Sequence, residues 1–173
     1  MELDNVAFLF DKSELILLFR ILKCKNIPFP ALEEKIDVEA ALERLWEDQL
    51  VSGSRKALAV DQVIAFLLLA MDRADFCLYA TGGGHAAVFK AASVSIVLRE
   101  RGERWLIAPF PTFPDARALM LDSLRGLQAP CTLTVHGKAG AKTLHFQTTE
   151  EAIRAMEELL PAEEEEAKEK WKT

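Results

Sequence analysis

The sequence predicts an α+β fold, in which an antiparallel β-sheet of about six strands carries an N-terminal helical bundle and C-terminal helices. Three observations lead to this prediction. Apolar residues recur at helical spacing through residues 11–74. Strand-like segments separated by turn residues begin at residue 76. A helix, a second hairpin and a further helix then complete residues 76–160. We expect a single domain over residues 1–160, followed by a charged tail at residues 161–173.

The composition is ordinary for a soluble globular protein, with 50% hydrophobic and 28% charged residues among 173. That length is enough to bury a substantial core. The net charge of −6 disfavours nucleic-acid binding, which needs a concentrated positive field. The tail carries five glutamates and three lysines, so two of the six net negative charges lie in it.

The chain is expected in the cytosol. The segment Met1-Glu-Leu-Asp4 is acidic, unlike the basic start of a secretory signal peptide. The longest apolar run, residues 63–71, is too short to span a bilayer. Three widely spaced cysteines, Cys24, Cys77 and Cys131, have apolar neighbours, which favours reduced and buried thiols.

Three helices are predicted in the N-terminal third. After a short apolar lead at residues 3–10, a possible edge strand, Asp11-Lys-Ser-Glu14 forms a capping box that begins a helix reaching about Lys23. Residues 37–50 form an amphipathic helix, and Ser52-Gly-Ser54 is a loop. Residues 61–74 are apolar almost all round and predict a central packed helix.

Helices followed by strands are also typical of winged-helix proteins, which bind DNA. The third predicted helix offers no basic face to a groove, and this disfavours DNA binding.

Four strands form the predicted meander. They are residues 76–81, 86–91, 94–99 and 104–110. A two-residue turn at Arg101-Gly102 would place Leu98 opposite Trp105, and Ile96 opposite Ile107.

The C-terminal part is predicted to begin with a stiff proline-rich loop at residues 109–114. Phe110 and Phe113 either fold back into the core or form an exposed hydrophobic contact. Asp115 would cap the fourth helix, which Gly126 ends.

A second hairpin follows, with Leu133 opposite Phe146 and Val135 opposite Leu144. A second capping box at Thr148 would begin the fifth helix.

No catalytic, cofactor-binding or metal-binding residues are predicted. His136 and His145 would be diagonal neighbours on a polar strand face, but the sequence places no third ligand there. The segment Thr81-Gly-Gly-Gly-His85 leads into strand-like sequence, whereas a phosphate-binding loop leads into a helix, so a flexible hairpin turn is favoured. The sequence predicts no local basic partner that would lower the pKa of any of the three thiols. We therefore expect a binding protein without enzymatic activity.

Three motifs follow one another in the N-terminal third: Phe10-Asp-Lys-Ser-Glu-Leu-Ile-Leu-Leu-Phe19, Ile27-Pro-Phe-Pro30 and Ala41-Leu-Glu-Arg-Leu-Trp-Glu-Asp-Gln-Leu-Val51. Later come Trp105-Leu-Ile-Ala108, the proline-rich exit and Asp115-Ala-Arg-Ala-Leu119. In this order the segments resemble the start of EspG-type proteins of the ESX (type VII) secretion systems, and the resemblance covers most of residues 8–127.

The resemblance implies a cytosolic secretion chaperone that binds a helical-hairpin export substrate and keeps it soluble and export-competent. The substrate would be of the LXG or WXG type, or a PE–PPE pair, and the chaperone alone would be a monomer or weak dimer. The expected partner-binding residues are those least explicable as core: Gly82, Gly83, Gly84, His85, Phe110 and Phe113. The alternatives are a structural or regulatory homodimer and, third, a small-molecule enzyme.

Overall fold

The fold is described from a computed structural model, which places residues 7–137 and 140–160. Residues 3–6 of the apolar lead, residues 138–139 of the second hairpin and the tail at residues 161–173 lie outside this described part. Within it the order of elements is β1 (Phe8–Asp11), α1 (Lys12–Ile21), a 3-10 helix (Pro30–Glu33), α2 (Val38–Glu47), β2 (Val51–Ser54), β3 (Ala57–Val60), α3 (Gln62–Asp72), β4 (Phe76–Thr81), β5 (His85–Lys90), β6 (Ser95–Arg101), β7 (Arg104–Phe110), α4 (Phe113–Arg125), β8 (Cys131–Gly137), β9 (Gly140–Phe146) and α5 (Thr149–Leu159).

The α+β class is confirmed, with a large antiparallel sheet at its centre. The described residues form a seven-stranded sheet in the order β1-β7-β6-β5-β4-β8-β9 and a separate two-stranded sheet, β2-β3. The seventh strand is β1, which continues the apolar lead and pairs with β7 at the sheet edge. Ser52-Gly-Ser54 was wrongly predicted as a loop: it lies in β2, and Gly53 has a φ of +89°.

Helices cover both faces of the sheet and create two hydrophobic cores. The N-terminal core contains residues of α1, the 3-10 helix, α2 and α3 together with one face of β4–β7. The C-terminal core contains α4, α5 and the opposite face of the same strands. Leu78 and Phe89 on adjacent strands illustrate the division, because each is fully buried but in a different core. Among the described helices, none is both long and apolar enough to cross a bilayer.

Short polar side chains fix the helix starts. Glu14 accepts a hydrogen bond from the backbone N–H of Asp11 (3.2 Å), as the predicted capping box requires. Asp61 accepts from the first turn of α3 (3.0 and 3.1 Å). The predicted start of α4 at Asp115 is wrong: α4 begins at Phe113 after Thr112, whose hydroxyl donates to Asp115 (2.9 Å).

Both predicted hairpin registers are wrong by two residues. Leu98 pairs with Ile107 rather than with Trp105, and the β6–β7 turn is centred on Gly102-Glu103. Gly102 has a φ of +65° at the first central position, where a type II′ turn favours glycine.

The β8–β9 hairpin shows the same displacement, since Leu133 pairs with Leu144 instead of Phe146, and Val135 with Lys142. A shift of two residues keeps every side chain on its predicted face, so alternation alone could not distinguish the two registers.

Candidate functional site

The predicted partner-binding residues lie at opposite ends of the sheet. The glycines and His85 form the turn between β4 and β5, where Thr81 pairs with His85. Phe110 pairs with Ser95, which in turn pairs with Lys90 at the far end of β5. Five residues of β5 separate the two ends, about 17 Å at the usual rise per strand residue. The structure therefore does not bring the glycine turn and the proline-rich loop into one compact patch.

The glycine turn is anchored to the loop that follows α4, contrary to the predicted flexible tip. The carbonyl of Gly82 accepts a hydrogen bond from the backbone N–H of Gln128 (2.7 Å). Gly82 is buried, and a Cβ built on it would lie 2.6 Å from the carbonyl oxygen of Gln128 and 2.9 Å from Sγ of Cys131. Gly83 is the exposed residue at the apex, with a φ of +67°. The glycines thus permit close packing as well as a tight turn.

The proline-rich loop contributes mainly to the C-terminal core. Phe113 is only 3% exposed, and its ring meets that of Phe76 edge-on at a centroid distance of 6.4 Å. Nζ of Lys90 lies 5.3 Å from the Phe113 ring centroid, a cation–π geometry. Phe110 is half-buried against the same core. Phe113 therefore packs into the core, which was one of the two alternatives predicted for this loop.

His85 borders the exposed surface and is held from two sides. Its Nδ1 lies 2.6 Å from a carboxylate oxygen of Glu100, and its side chain is 23% exposed. Its ring lies against Phe29, at a centroid distance of 4.7 Å, and is stacked on Trp105 at 5.7 Å. The imidazole therefore belongs to a cluster with Phe29 and Trp105, which we call the aromatic border.

Next to this border lies a polar sheet face that helices leave uncovered. Helix α5 packs on one face of β8 and β9, and the opposite face remains open. We call this surface the open sheet face, and its residues are Thr132, Thr134, His136, Thr143 and His145. His136, Thr143 and His145 are exposed, and the two threonines of β8 are half-buried.

Short cross-strand contacts order the open sheet face. The hydroxyl of Thr132 lies 3.2 Å from Nδ1 of His145, and the hydroxyls of Thr134 and Thr143 are 3.3 Å apart. The predicted neighbourhood of the two histidines is wrong, because His136 pairs with Ala141 whereas His145 pairs with Thr132. Among the described residues, no group of three potential ligands could hold a metal ion.

Tyr79 joins the open sheet face to the aromatic border. It pairs with Thr134 on β8, and its ring centroid lies 5.2 Å from that of His136 and 5.7 Å from that of Phe29. Its hydroxyl accepts a hydrogen bond from the thiol of Cys77 (3.1 Å). Burial, followed by this hydrogen bond, raises the pKa of Tyr79, so its hydroxyl stays neutral at physiological pH.

The pKa values of two thiols are raised, mainly by burial, although Lys23 and Lys25 flank Cys24 in the sequence. Burial raises the pKa of Cys77, against the hydrogen bond from its side chain to Tyr79. Burial, and then the Asp72 carboxylate, raises the pKa of Cys24 to about 11. A thiol with a raised pKa is mostly protonated at neutral pH and a poor nucleophile.

Sequence reasoning missed that these residues form one surface. The alternation of β8 and β9 correctly predicted which side chains are polar, and a solvent-exposed edge was the expected consequence. Tyr79 borders the polar strands because β4 pairs with β8. Phe29 and His85 lie beside them as well, since Phe29 contacts both Tyr79 and His85. No local signal in the sequence specifies that pairing.

Comparisons with known proteins find similarity in fold alone. No protein-family profile and no curated protein sequence matches the chain. Eleven chains in solved structures match its fold. One belongs to the structure of the Mycobacterium tuberculosis type VII secretion system chaperone EspG5 in complex with a PE25–PPE41 dimer, with a TM-score of 0.53 and 11% identity. The match covers 72% of this chain and 53% of the EspG5 chain, so the chain spans about half the length of that protein.

Proposed function

We propose that the chain is a chaperone or adaptor of type VII secretion, which binds a helical export substrate in the cytosol and keeps it soluble. The observation that carries the proposal is the likeness in fold to EspG5, a type VII chaperone whose structure contains a PE25–PPE41 dimer. The sequence motifs of residues 8–127 point to the same family independently of the fold. The substrate class is a PE–PPE pair or a helical hairpin of the LXG or WXG type.

The open sheet face and the glycine turn are the proposed docking surface. Thr134, Thr143 and His136 provide hydrogen-bonding groups, while Tyr79 and His85 provide aromatic surface at the border. An interface that combines aromatic anchors with a polar surround is typical of protein recognition. A helical substrate would lie across β8 and β9, with its end against the glycine turn.

The size of this surface limits how the substrate can bind. Seven residues of β8 and β9 extend about 23 Å, and three strands from β4 to β9 are about 14 Å wide, giving about 300 Å². A specific interface usually buries about 800 Å² on each partner. The substrate must therefore also contact the glycine turn, the aromatic border, or the outer edge of β9.

Affinity capture with matched variants tests the proposal. The tagged full-length chain is co-expressed with candidate helical substrates and captured by its tag. The molar mass of each complex is then measured by light scattering. We expect a stoichiometric complex with a substrate that is insoluble alone. Thr143→Arg should abolish it, because a long charged side chain would stand on the open sheet face. Ser52→Arg, at an exposed strand position of the separate β2-β3 sheet, should leave it intact.

Two results would contradict the proposal. If no helical protein co-purifies, or if Thr143→Arg and Ser52→Arg bind the substrate equally, the chaperone function or its proposed surface is wrong.

One observation favours a homodimer as the second candidate function. β9 is a seven-residue strand at the edge of the sheet, and Lys142 is its only charged residue. Long edge strands with few charges can pair with another chain. A homodimer would keep its mass on dilution without any partner, whereas the proposed chaperone would be a monomer or weak dimer whose mass changes with substrate.

A further inference from the structure

Helix α3 presents an apolar side that the rest of the described chain leaves uncovered. The sequence predicted a central packed helix, but the structure buries one stripe of it: Ile64, Leu67, Leu68 and Met71. The opposite side has the same helical spacing, and we call it the α3 outer face: Gln62, Ala65, Phe66, Leu69 and Arg73. Phe66, at its centre, is 49% exposed.

The α3 outer face lacks the charged residues that usually cover the solvent side of a helix. No residue from 62 to 71 is charged. The exposed side of α2, in contrast, carries four charged residues: Glu39, Glu43, Arg44 and Glu47. An exposed apolar surface centred on an aromatic side chain is typical of protein–protein contacts. The α3 outer face is therefore a candidate interface.

The start of the α3 outer face is acidic. Asp61, the N-cap of α3, donates its backbone N–H to the carbonyl of Leu50 (2.8 Å). This hydrogen bond holds the segment that follows α2 against the start of α3. Glu47 and Asp48, at the end of α2, are exposed. With Asp61 they concentrate three carboxylates at this end of the face.

The other end of the α3 outer face is basic. Arg73 is exposed there, and Asp72 accepts a hydrogen bond from the backbone N–H of Lys25 (2.8 Å). This bond holds the loop after α1 against the end of α3, so that the exposed Lys23 and Lys25 lie near Arg73. Asp72 and Asp75 offset two of the three positive charges, which leaves this end positive by one.

We propose that two copies of this chain associate through their α3 outer faces, with the two helices antiparallel about a two-fold axis. In this arrangement Gln62 lies opposite the partner's Arg73, and Phe66 lies opposite the partner's Leu69. The acidic start of each helix meets the basic end of the other, and the two-fold axis repeats every contact. The proposal does not depend on the secretion function.

The charge pattern identifies a second copy as the occupant. A surface with an acidic start and a basic end is complementary to a reversed copy of itself. A parallel pair would place acidic residues against acidic residues, and an uncharged partner would leave both ends without a counter-charge. The small side chain of Ala65 beside Phe66 lets two helices approach to the usual distance of about 8–10 Å.

The size of the α3 outer face makes the association weak. From Gln62 to Arg73 the helix rises about 17 Å, and a helix is about 10 Å across, which gives about 170 Å². A stable interface usually buries about 800 Å² on each partner. Exposed ion pairs at the two ends contribute little each. The dimer should therefore dissociate on dilution, unlike a dimer that keeps its mass through pairing of β9.

Sedimentation velocity of the full chain over a range of concentrations tests the contact. We expect the mass of the wild type to rise from monomer towards dimer with concentration. Phe66→Gln removes the apolar centre of the face and should raise the dissociation constant at least about tenfold. Leu9→Gln is the matched control: Leu9 is 45% exposed and lies on the sheet face opposite α3, so the dissociation constant should not change.

A charge exchange tests the antiparallel arrangement. Gln62→Lys would repel the partner's Arg73, and Arg73→Glu would repel the partner's Asp61. We expect each variant alone to be monomeric and an equal mixture to form a one-to-one heterodimer, because one of the two contacts then joins opposite charges. Both positions are exposed, so the circular dichroism spectrum and melting temperature should stay close to those of the wild type.

Three results would overturn the proposal: a wild type that stays monomeric at every concentration, a Phe66→Gln variant that associates like the wild type, or a mixture of the two charge variants that stays monomeric. If the wild type stays monomeric and Phe66→Gln instead reduces capture of a helical export substrate, the α3 outer face binds the substrate and not a second copy.

Discussion

At the scale of single residues, Glu14 combines a structural task with an unfavourable position. Its carboxylate caps the start of α1 by accepting from the Asp11 N–H, yet the side chain is only 6% exposed. Burial raises its pKa above the usual 4.5, and the Asp11 hydrogen bond opposes that rise. The folded state therefore holds this proton at a higher pH than the unfolded chain does, and the stability gained from protonation is lost as the pH rises through the folded pKa.

We predict that Glu14→Gln raises the melting temperature at pH 7, because it removes a buried charge and keeps an oxygen that accepts from Asp11. The difference from the wild type should shrink as the pH falls towards 4.5 and below, where Glu14 itself becomes neutral. Thermal unfolding followed by circular dichroism between pH 4 and 7 measures this. Glu43→Gln, on the exposed side of α2, should show no such pH dependence. A variant less stable than wild type at pH 7 but not at pH 4 would show that the carboxylate charge matters more to the cap than its burial.

Phe113 shows where prediction from sequence ends at this scale. Its place in a proline-rich loop was compatible with exposure or burial. Because α4 begins at Phe113 itself, its side chain enters the first turn of the helix and faces Phe76. The position of the helix start thus decides whether Phe113 is buried. The sequence predicted a cap at Asp115 instead, and so placed the start of α4 too late in the chain.

At the scale of elements, the turn between β4 and β5 is a packed joint. Its glycine backbone packs closely against Gln128, between α4 and β8, and against Cys131, the first residue of β8. This contact links the first meander to the second hairpin.

We predict that Gly82→Ala lowers the free energy of unfolding by about 1–3 kcal/mol, the usual cost of overpacking. Its Cβ would meet backbone oxygen at 2.6 Å, and backbone cannot move aside as a flexible side chain can. Gly126→Ala is the control, since its φ of −82° suits alanine and its nearest contact is 3.4 Å. That control should change stability by less than about 1 kcal/mol. Urea denaturation of the wild type and the two variants gives their free energies of unfolding. Equal values would mean that the turn accommodates the alanine side chain without loss of stability.

The sequence predicted all five helices and most strands of the large sheet, because capping residues and apolar periodicity are local signals. The β2-β3 hairpin escaped prediction, since a serine–glycine segment such as Ser52-Gly-Ser54 favours turns by composition. Gly53 has a φ of +89° that suits glycine, and the strands around it form through pairing with Ala57–Val60. Pairing is a nonlocal property, which also explains why both hairpin registers were displaced.

At the scale of the whole molecule, one sheet separates two cores. Residues 8–107 supply the N-terminal core, and residues 76–160 supply the C-terminal core. Strands β4–β7 belong to both. Loss of either helical layer would expose apolar side chains on the shared strands, so we expect residues 1–160 to unfold as one cooperative unit.

We predict that Leu78→Ala and Phe89→Ala lower the free energy of unfolding by about 2–5 kcal/mol each, because both side chains are almost completely buried. Each should still give a single transition, with circular dichroism and tryptophan fluorescence coinciding. The two substitutions lie in different cores. Separate transitions in either variant would show that the two layers are independent folding units.

The open sheet face illustrates the same limit for the candidate site. Its polar side chains were identified from alternation in β8 and β9, but whether a helix covers them depends on where α5 packs. The separation of the glycine turn from Phe110 follows from the register of β5, β6 and β7. Residue types were therefore predictable, and their assembly into a surface was not.

The pairing of β1 with β7 has a consequence for synthesis of the chain on the ribosome. Phe8 finds its partner, Ile107, only after nearly two-thirds of the protein has been made. Until then α1 and the nearly all-apolar α3 have emerged without the strands that bury them, and such exposed surface favours aggregation. A nascent chain halted before Arg104 has no strand to receive β1. A protein proposed to shield another from aggregation passes through the same exposure during its own translation.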